Sequence, residues 1–161
     1  MTLTNLLDAA RGALAAAPRE ALGEVREPRR LLGIARAPKI VPVGRAWHLG
    51  VLLLTDDALL ATGEVVRARR EAPRGFTAES QRRRAELAGA ASRGGFAEGQ
   101  SVHIGWRMLD LDAVARGEAS DPLAWREGVL SVKWSRAGGC IPLAGYLDQR
   151  IALLLEPPAG A

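Results

Sequence analysis

The stretch that decides the fold is RAWHLGVLLLTDDALLATGEVVRARR, residues 45–70. Two apolar runs meet at the pair Asp56 and Asp57, and a short polar pair between apolar runs is typical of a two-residue hairpin turn. With a turn at this pair, Leu54 faces Leu59 and the register of both runs is set. We therefore predict a long β-hairpin over residues 45–67.

Both faces of the predicted hairpin are mostly apolar. Trp47 lies opposite Val66 on one face, and Gly50 lies opposite Gly63 on the other, where the ribbon can bend sharply. A strand pair that is apolar on both sides must be covered on both sides. The expected fold class is therefore α+β, with a mainly antiparallel, bent or barrel-like sheet.

The segments before the hairpin predict one helix and two short strands. Apolar residues at helical spacing indicate a helix over residues 4–17, with Thr4 as its N-cap and Pro18 as its stop, packed on the sheet. The next segment, 18–30, is charged and interrupted by glycine and proline, which favours a linker. Strand-like runs follow at 31–36 and 39–43, each beside a proline that is typical of a sheet margin.

A second helix is predicted after the hairpin, over residues 78–92. Thr77 can cap this helix, and the pair Gly94 and Gly95 ends it. Its apolar residues are mostly alanine, so we expect it on the outside with its arginines in water. The rest of the chain predicts strands at 101–108 and 128–135, a short helix at the Leu-Asp-Leu-Asp segment, a C-terminal helix over 143–155 and a tail at 156–161. The alternative for the C-terminal segment is a helix to Arg150 followed by a strand at 151–155.

Length and composition predict a single domain whose core spans residues 31–155. The chain has 161 residues, of which 48% are hydrophobic, and this suffices for a core without disulfides or metal. One cysteine excludes an internal disulfide, and the N-terminal segment lacks the pattern of a signal peptide. The apolar runs are far shorter than the roughly 20 residues that cross a bilayer. We expect a cytoplasmic protein with no membrane contact and no cofactor.

Positive charge concentrates between the predicted hairpin and the next helix. Residues 67–84 hold seven arginines and two acidic residues, and the rest of the chain is close to neutral. This placement predicts a contact surface for an acidic protein or a nucleic acid, with Phe76 as a stacking ring. The alternative is a solvated face, because three consecutive arginines fan around a helix. The predicted partner-binding residues are Arg67, Arg69, Arg70, Arg74, Arg82, Arg83 and Arg84.

Catalytic chemistry has four candidate side chains. His48 and His103 lie in predicted strands and can meet with Glu64 as an acid–base pair, and Cys140 has small neighbours that leave a thiol accessible. Their spacing demands no metal site, so none is assigned, and the alternative for each is a structural side chain.

Two tryptophans are candidates for a ligand pocket. Trp106 and Trp134 sit late in predicted strands and can line a pocket for a planar or sugar-like ligand. The alternative is that both anchor the core. The glycine-rich run RGGFAEGQ, residues 93–100, closes a helix rather than opening one, so it indicates a helix end and a turn instead of a phosphate loop.

Four segments carry a resemblance to a known family: VGRAWHLGVLLL, LLATGEVVRARR, AESQRRRAELAGAASRGGFAEGQ and PLAGYL. They resemble a family of small uncharacterised proteins from high-GC bacteria, some of which carry the name glutaminase. The resemblance covers most of the chain and implies a shared fold. The name implies amide hydrolysis. However, the chain has no Ser-x-x-Lys pair, and Cys140 follows both histidines instead of preceding one.

These observations favour a non-enzymatic binding or accessory protein that contacts an acidic partner through residues 67–84. The alternative function is a small amide-bond hydrolase.

Overall fold

The computed structural model describes residues 1–29, 32–34, 36–70, 75 and 78–160. In these residues the elements are α1 (Leu3–Ala13), β1 (Glu20–Arg26), β2 (Lys39–Leu49), β3 (Leu52–Leu54), β4 (Leu59–Ala61), β5 (Glu64–Arg67), α2 (Glu79–Arg93), β6 (Ser101–Ile104), β7 (Arg107–Met108), α3 (Leu111–Ala115), β8 (Leu123–Arg126), β9 (Val129–Lys133), β10 (Cys140–Pro142) and α4 (Leu143–Leu155). Most strand pairs are antiparallel, so the predicted mainly antiparallel α+β class is confirmed.

The chain forms two compact units. Unit 1 contains residues 1–19, 46–62 and 107–161, and unit 2 contains residues 20–45 and 63–106. Strand β2 contributes its first part to unit 2 and its last part to unit 1. In neither unit do the strand pairs of the described residues close into a barrel. The single domain expected from length stays a prediction.

Unit 1 has a leucine-rich core to which two sheets and three helices contribute. Its larger sheet has the order β2-β3-β4-β7, and its smaller sheet has the order β10-β9-β8. Helix α1 packs on the larger sheet as predicted, since Leu7 and Leu14 join the buried cluster around Trp47. The helix begins one residue earlier than expected, because Thr2 rather than Thr4 caps it. It is nevertheless shorter than expected, because it ends at Ala13 with Leu14 as C-cap, before Pro18. The C-terminal segment is helical through residues 151–155, which excludes the strand alternative.

The turn at Asp56 and Asp57 is confirmed, but the long hairpin around it is wrong. Leu54 pairs with Leu59 and Leu53 with Leu60, as the register predicts. The earlier strand instead ends at Leu49, because Gly50 adopts a φ of 67° and begins a second two-residue turn. Trp47 therefore pairs with Leu54 and not with Val66, and residues 64–67 are left to pair elsewhere.

Unit 2 contains a strand where the sequence predicts a linker. Its sheet has the order β5-β6-β1-β2, in which β1 runs parallel to β6. The many charged residues of segment 18–30 led to the linker prediction, but Ala21 and Leu22 within it are buried. Gly23 packs closely on β2, since a Cβ there would lie 2.5 Å from Ile40 Cγ2. Tertiary packing against a distant strand, rather than local propensity, decides this element.

Helix α2 and the strands around it agree with prediction in part. The helix spans Glu79–Arg93 and ends at Gly94 and Gly95, while Thr77 lies outside the described residues. The expected strand at 39–43 is the start of β2. Of the expected strand at 31–36, residues 32–34 form no regular strand, and positions 31 and 35 lie outside the described residues.

The C-terminal half also departs from prediction in its strand boundaries. The expected strand at 101–108 is two strands, since Gly105 turns the chain with a φ of 64°. The short helix at Leu-Asp-Leu-Asp is confirmed, with Asp110 accepting a hydrogen bond from the Ala113 N–H at 2.8 Å. The strand predicted at 128–135 is β9, while β8 and β10 were not predicted. Among the described residues, the helices are too short or too polar to span a membrane.

Candidate binding groove

Strand β5 lies at the end of the strand order in unit 2 and presents one edge outward. It pairs with β6 from Glu64, opposite Ile104, to Arg67, opposite Ser101. Immediately after it, the Ala68 N–H donates to Gln100 O at 2.9 Å. Because inward and outward peptide groups alternate along an antiparallel strand, the N–H and C=O groups of Val65 and Arg67 point away from β6.

Helix α2 runs beside this outward edge. The Arg69 N–H donates to Ala88 O at 3.1 Å, which ties the chain after β5 to the helix. Ala88, Ala90 and Ala91 pack toward the sheet, and their small side chains let the helix approach closely.

A groove with a volume of about 500 Å³ separates β5 from α2. This volume is in the range of ligand-binding cavities. One wall is β5 together with Arg69, and the other is a stripe of α2 residues at spacings of three, four and seven. The lining residues are Glu64, Val65, Val66, Arg67, Arg69, Gln81, Arg84, Ala85, Leu87 and Ala88.

The groove carries more positive than negative charge. Its charged lining residues are Arg67, Arg69, Arg84 and Glu64. The Glu64 carboxylate already accepts two hydrogen bonds from Arg83 Nη1, at 2.8 and 2.9 Å, and this contact raises the pKa of Arg83. Within the part of the chain that the structure describes, none of the three lining arginines has an ion-pair partner. As far as the described residues go, the groove therefore has three cationic groups available to an anion.

Three other predicted partner-binding residues, Arg70, Arg82 and Arg83, do not line the groove. Arg82 lies on the helix with its Nη2 3.8 Å from Glu79, and Arg83 is held by Glu64. The Arg70 N–H donates to Glu98 Oε2 at 2.8 Å, which fixes the backbone at the end of the groove. Arg74 and Phe76 lie outside the described residues.

Of the two candidate catalytic side chains in unit 2, Glu64 lines this groove and His103 does not. His103 is buried in β6, and its Nε2 hydrogen-bonds the carboxylate of Glu20. Glu64 faces the opposite side of the sheet, because it pairs with Ile104 next to His103. The predicted meeting of His103 with Glu64 is therefore not formed, and Glu20 was missed because its segment was interpreted as a linker.

His48 and Cys140 both belong to unit 1. His48 Nε2 lies 2.9 Å from the Gly50 carbonyl oxygen, at the turn that ends β2. Cys140 is half-buried in β10, opposite Lys133. A catalytic role for either residue stays a prediction.

The two tryptophans proposed for a ligand pocket have separate local roles. Trp106 belongs to unit 2, where its indole N–H donates to Gly23 O at 3.1 Å. Trp134 belongs to unit 1, where it is 47% exposed and packs on Gly139. A ligand pocket on either residue stays a prediction.

Comparisons with known proteins gave no match: no protein-family model, curated protein or solved structure is significantly similar to this chain.

Proposed function

We propose that this protein is a non-enzymatic binding or accessory protein that takes an anionic partner in the groove between β5 and α2. The observation that supports this function most directly is the convergence of Arg67, Arg69 and Arg84 on one cavity of about 500 Å³. Guanidinium groups carry a permanent charge and bind carboxylates or phosphates through paired N–H donors. A groove lined by three of them favours an anion over a neutral ligand.

The apolar part of the lining adds to this preference. Val65 is 52% exposed, and Ala85, Leu87 and Ala88 form a low wall along the helix. A partner in the groove would cover apolar surface while its charges meet the arginines, and burial of apolar area contributes to affinity.

Fluorescence anisotropy tests this function directly. Labelled single-stranded DNA, duplex DNA, RNA and an acidic peptide are titrated with the protein at roughly 50 and 200 mM salt, because charge-dominated binding weakens steeply over that range. The decisive variant replaces Arg67, Arg69 and Arg84 together by glutamate. We expect at least one anionic probe to bind the native protein and to lose binding in this variant.

A matched control separates the groove from net charge. The control variant replaces Arg26, Arg82 and Arg116 by glutamate, which changes the net charge equally, and all three side chains are more than half exposed outside the groove. We expect the control to keep most of the binding. Equal loss in both variants, or no binding of any anionic probe at the lower salt, would contradict the proposed function.

The amide-bond hydrolase implied by the resemblance stays a prediction. Its test is the release of ammonia from glutamine by the native protein and by Cys140→Ala. Turnover that depends on the thiol would support the hydrolase.

A further inference from the structure

We infer that the anionic partner is an extended acidic peptide, which binds in the groove as an additional strand beside β5. This inference rests on the proposed function and specifies the partner. Its basis is the combination, in one groove, of an outward strand edge, three arginines and a wall of small side chains.

The strand edge supplies backbone hydrogen bonds. The outward N–H and C=O groups of Val65 and Arg67 alternate along β5, which is the pattern that a neighbouring strand pairs with. A nucleic acid backbone lacks the regular alternation of N–H donors and C=O acceptors that matches this edge. The repeating donors and acceptors of a peptide can satisfy both.

The side chains of the groove favour an acidic peptide over a single strand of nucleic acid. The ten lining residues that the structure describes contain no aromatic ring, whereas base stacking on aromatic side chains is a main contribution to binding of single-stranded nucleic acids. Arg67 projects from the strand, and Arg84 projects from the helix. Since successive side chains of an extended peptide point to opposite faces, its carboxylates can reach one arginine or the other.

The dimensions of the groove fit a short strand. Strand β5 has four residues and spans about 13 Å at roughly 3.3 Å per residue. Neighbouring strands lie about 4.8 Å apart, and an added strand would lie against the small side chains Ala85 and Ala88 of the helical wall. A bound segment would therefore pair over about four residues.

The first test uses the native protein and chemically altered peptides. The probe is a fluorescein-labelled octapeptide of alternating glutamate and threonine, and a lysine–threonine octapeptide is its charge-reversed control. N-methylation removes one backbone N–H at a time. Strand addition predicts that affinity falls about tenfold at every second position of the paired segment and changes little at the positions between.

The second test changes the strand edge itself. Val65→Pro removes an outward N–H and places a ring at the edge, while the hydrogen bonds to β6 are retained, because proline is tolerated at outward positions of edge strands. The control Val65→Ala also removes most of the valine side chain but keeps the backbone N–H. We expect peptide affinity to fall at least about tenfold in Val65→Pro and to stay near native in Val65→Ala, with circular dichroism and thermal unfolding checking that both variants fold.

The outcomes distinguish the inference from the proposed function. Peptide binding that requires Arg67, Arg69 and Arg84 but is insensitive to N-methylation overturns strand addition and leaves the proposed function intact. Binding of the labelled RNA or DNA without binding of the acidic peptide does the same. Absence of binding for every anionic probe overturns both.

Discussion

The hydrophobic cores of the two units are built from side chains of different size. The core cluster of unit 1 contains Trp47, Tyr146 and ten leucines, whereas the core cluster of unit 2 has four alanines among its nine buried residues. Large side chains bury more apolar area each, and small ones let backbone elements approach more closely. The candidate binding groove lies in the unit with the smaller core side chains, where alanines bring a helix next to an edge strand.

The largest expected effect comes from removing a large side chain, that of Trp47, from the core of unit 1. Trp47 is 1% exposed, its indole N–H donates to Ala17 O at 3.2 Å, and the Arg19 guanidinium stacks 3.8 Å from its ring centre. We expect Trp47→Ala to lower the free energy of unfolding by about 3–5 kcal/mol. Urea denaturation measures this change. Trp125→Ala is the control, because Trp125 is 40% exposed, and an equal loss in both variants would contradict the assignment of Trp47 to the core.

A second prediction concerns the close approach of backbone segments in unit 2. A Cβ on Gly94 would lie 1.5 Å from the carbonyl oxygen of Ile40, so the end of α2 and strand β2 would have to separate. We expect Gly94→Ala to lower the free energy of unfolding by about 3 kcal/mol or more, at the upper end of overpacking costs.

The control is Gly89 of α2, where alanine is expected to change the free energy of unfolding in the opposite direction. A Cβ on Gly89 would meet only the flexible end of Arg93, at 3.0 Å, and alanine favours a helix interior by about 0.5–1 kcal/mol over glycine. Gly89→Ala is therefore expected to stabilise the protein slightly in the same urea titration. If both glycine variants behaved alike, close packing at Gly94 would not be the cause.

The smallest expected effect is confined to acid pH and to the turn in unit 1. Arg19 donates two hydrogen bonds to the Asp56 carboxylate, at 2.7 and 2.9 Å, and this contact holds the pKa of Asp56 below its ordinary value. A lowered pKa contributes stability that is complete above the ordinary value of about 3.9 and is lost as the pH falls through the lowered one.

Asp56→Asn removes this contribution. We expect the native protein to lose more stability than Asp56→Asn between about pH 5 and pH 2, measured as unfolding midpoints across that range. The contact is exposed to solvent, so the difference is small and diminishes with salt. Asp148→Asn, an exposed change on α4, should leave the native pH dependence unchanged.

Part of the candidate site could be predicted from the sequence. The concentration of arginines between residues 67 and 84 located the charge, and Arg67, Arg69 and Arg84 do line the groove. The sequence did not show which of the seven predicted arginines would line one groove. That selection depends on the partner of β5 and on the orientation of α2, and Glu64, expected beside the histidines, instead binds Arg83.

The sequence by itself determined the features that act over a few residues. The Asp56-Asp57 turn with its leucine pairs, the helix that ends at Gly94 and the apolar stripe of α1 all follow from turn chemistry, caps and periodicity. Only the tertiary structure decided that residues 20–26 form a strand and that residues 64–67 pair with β6. The physical reason is that a strand is stabilised by partners distant in the chain, so its local residues do not specify which edge remains open for binding.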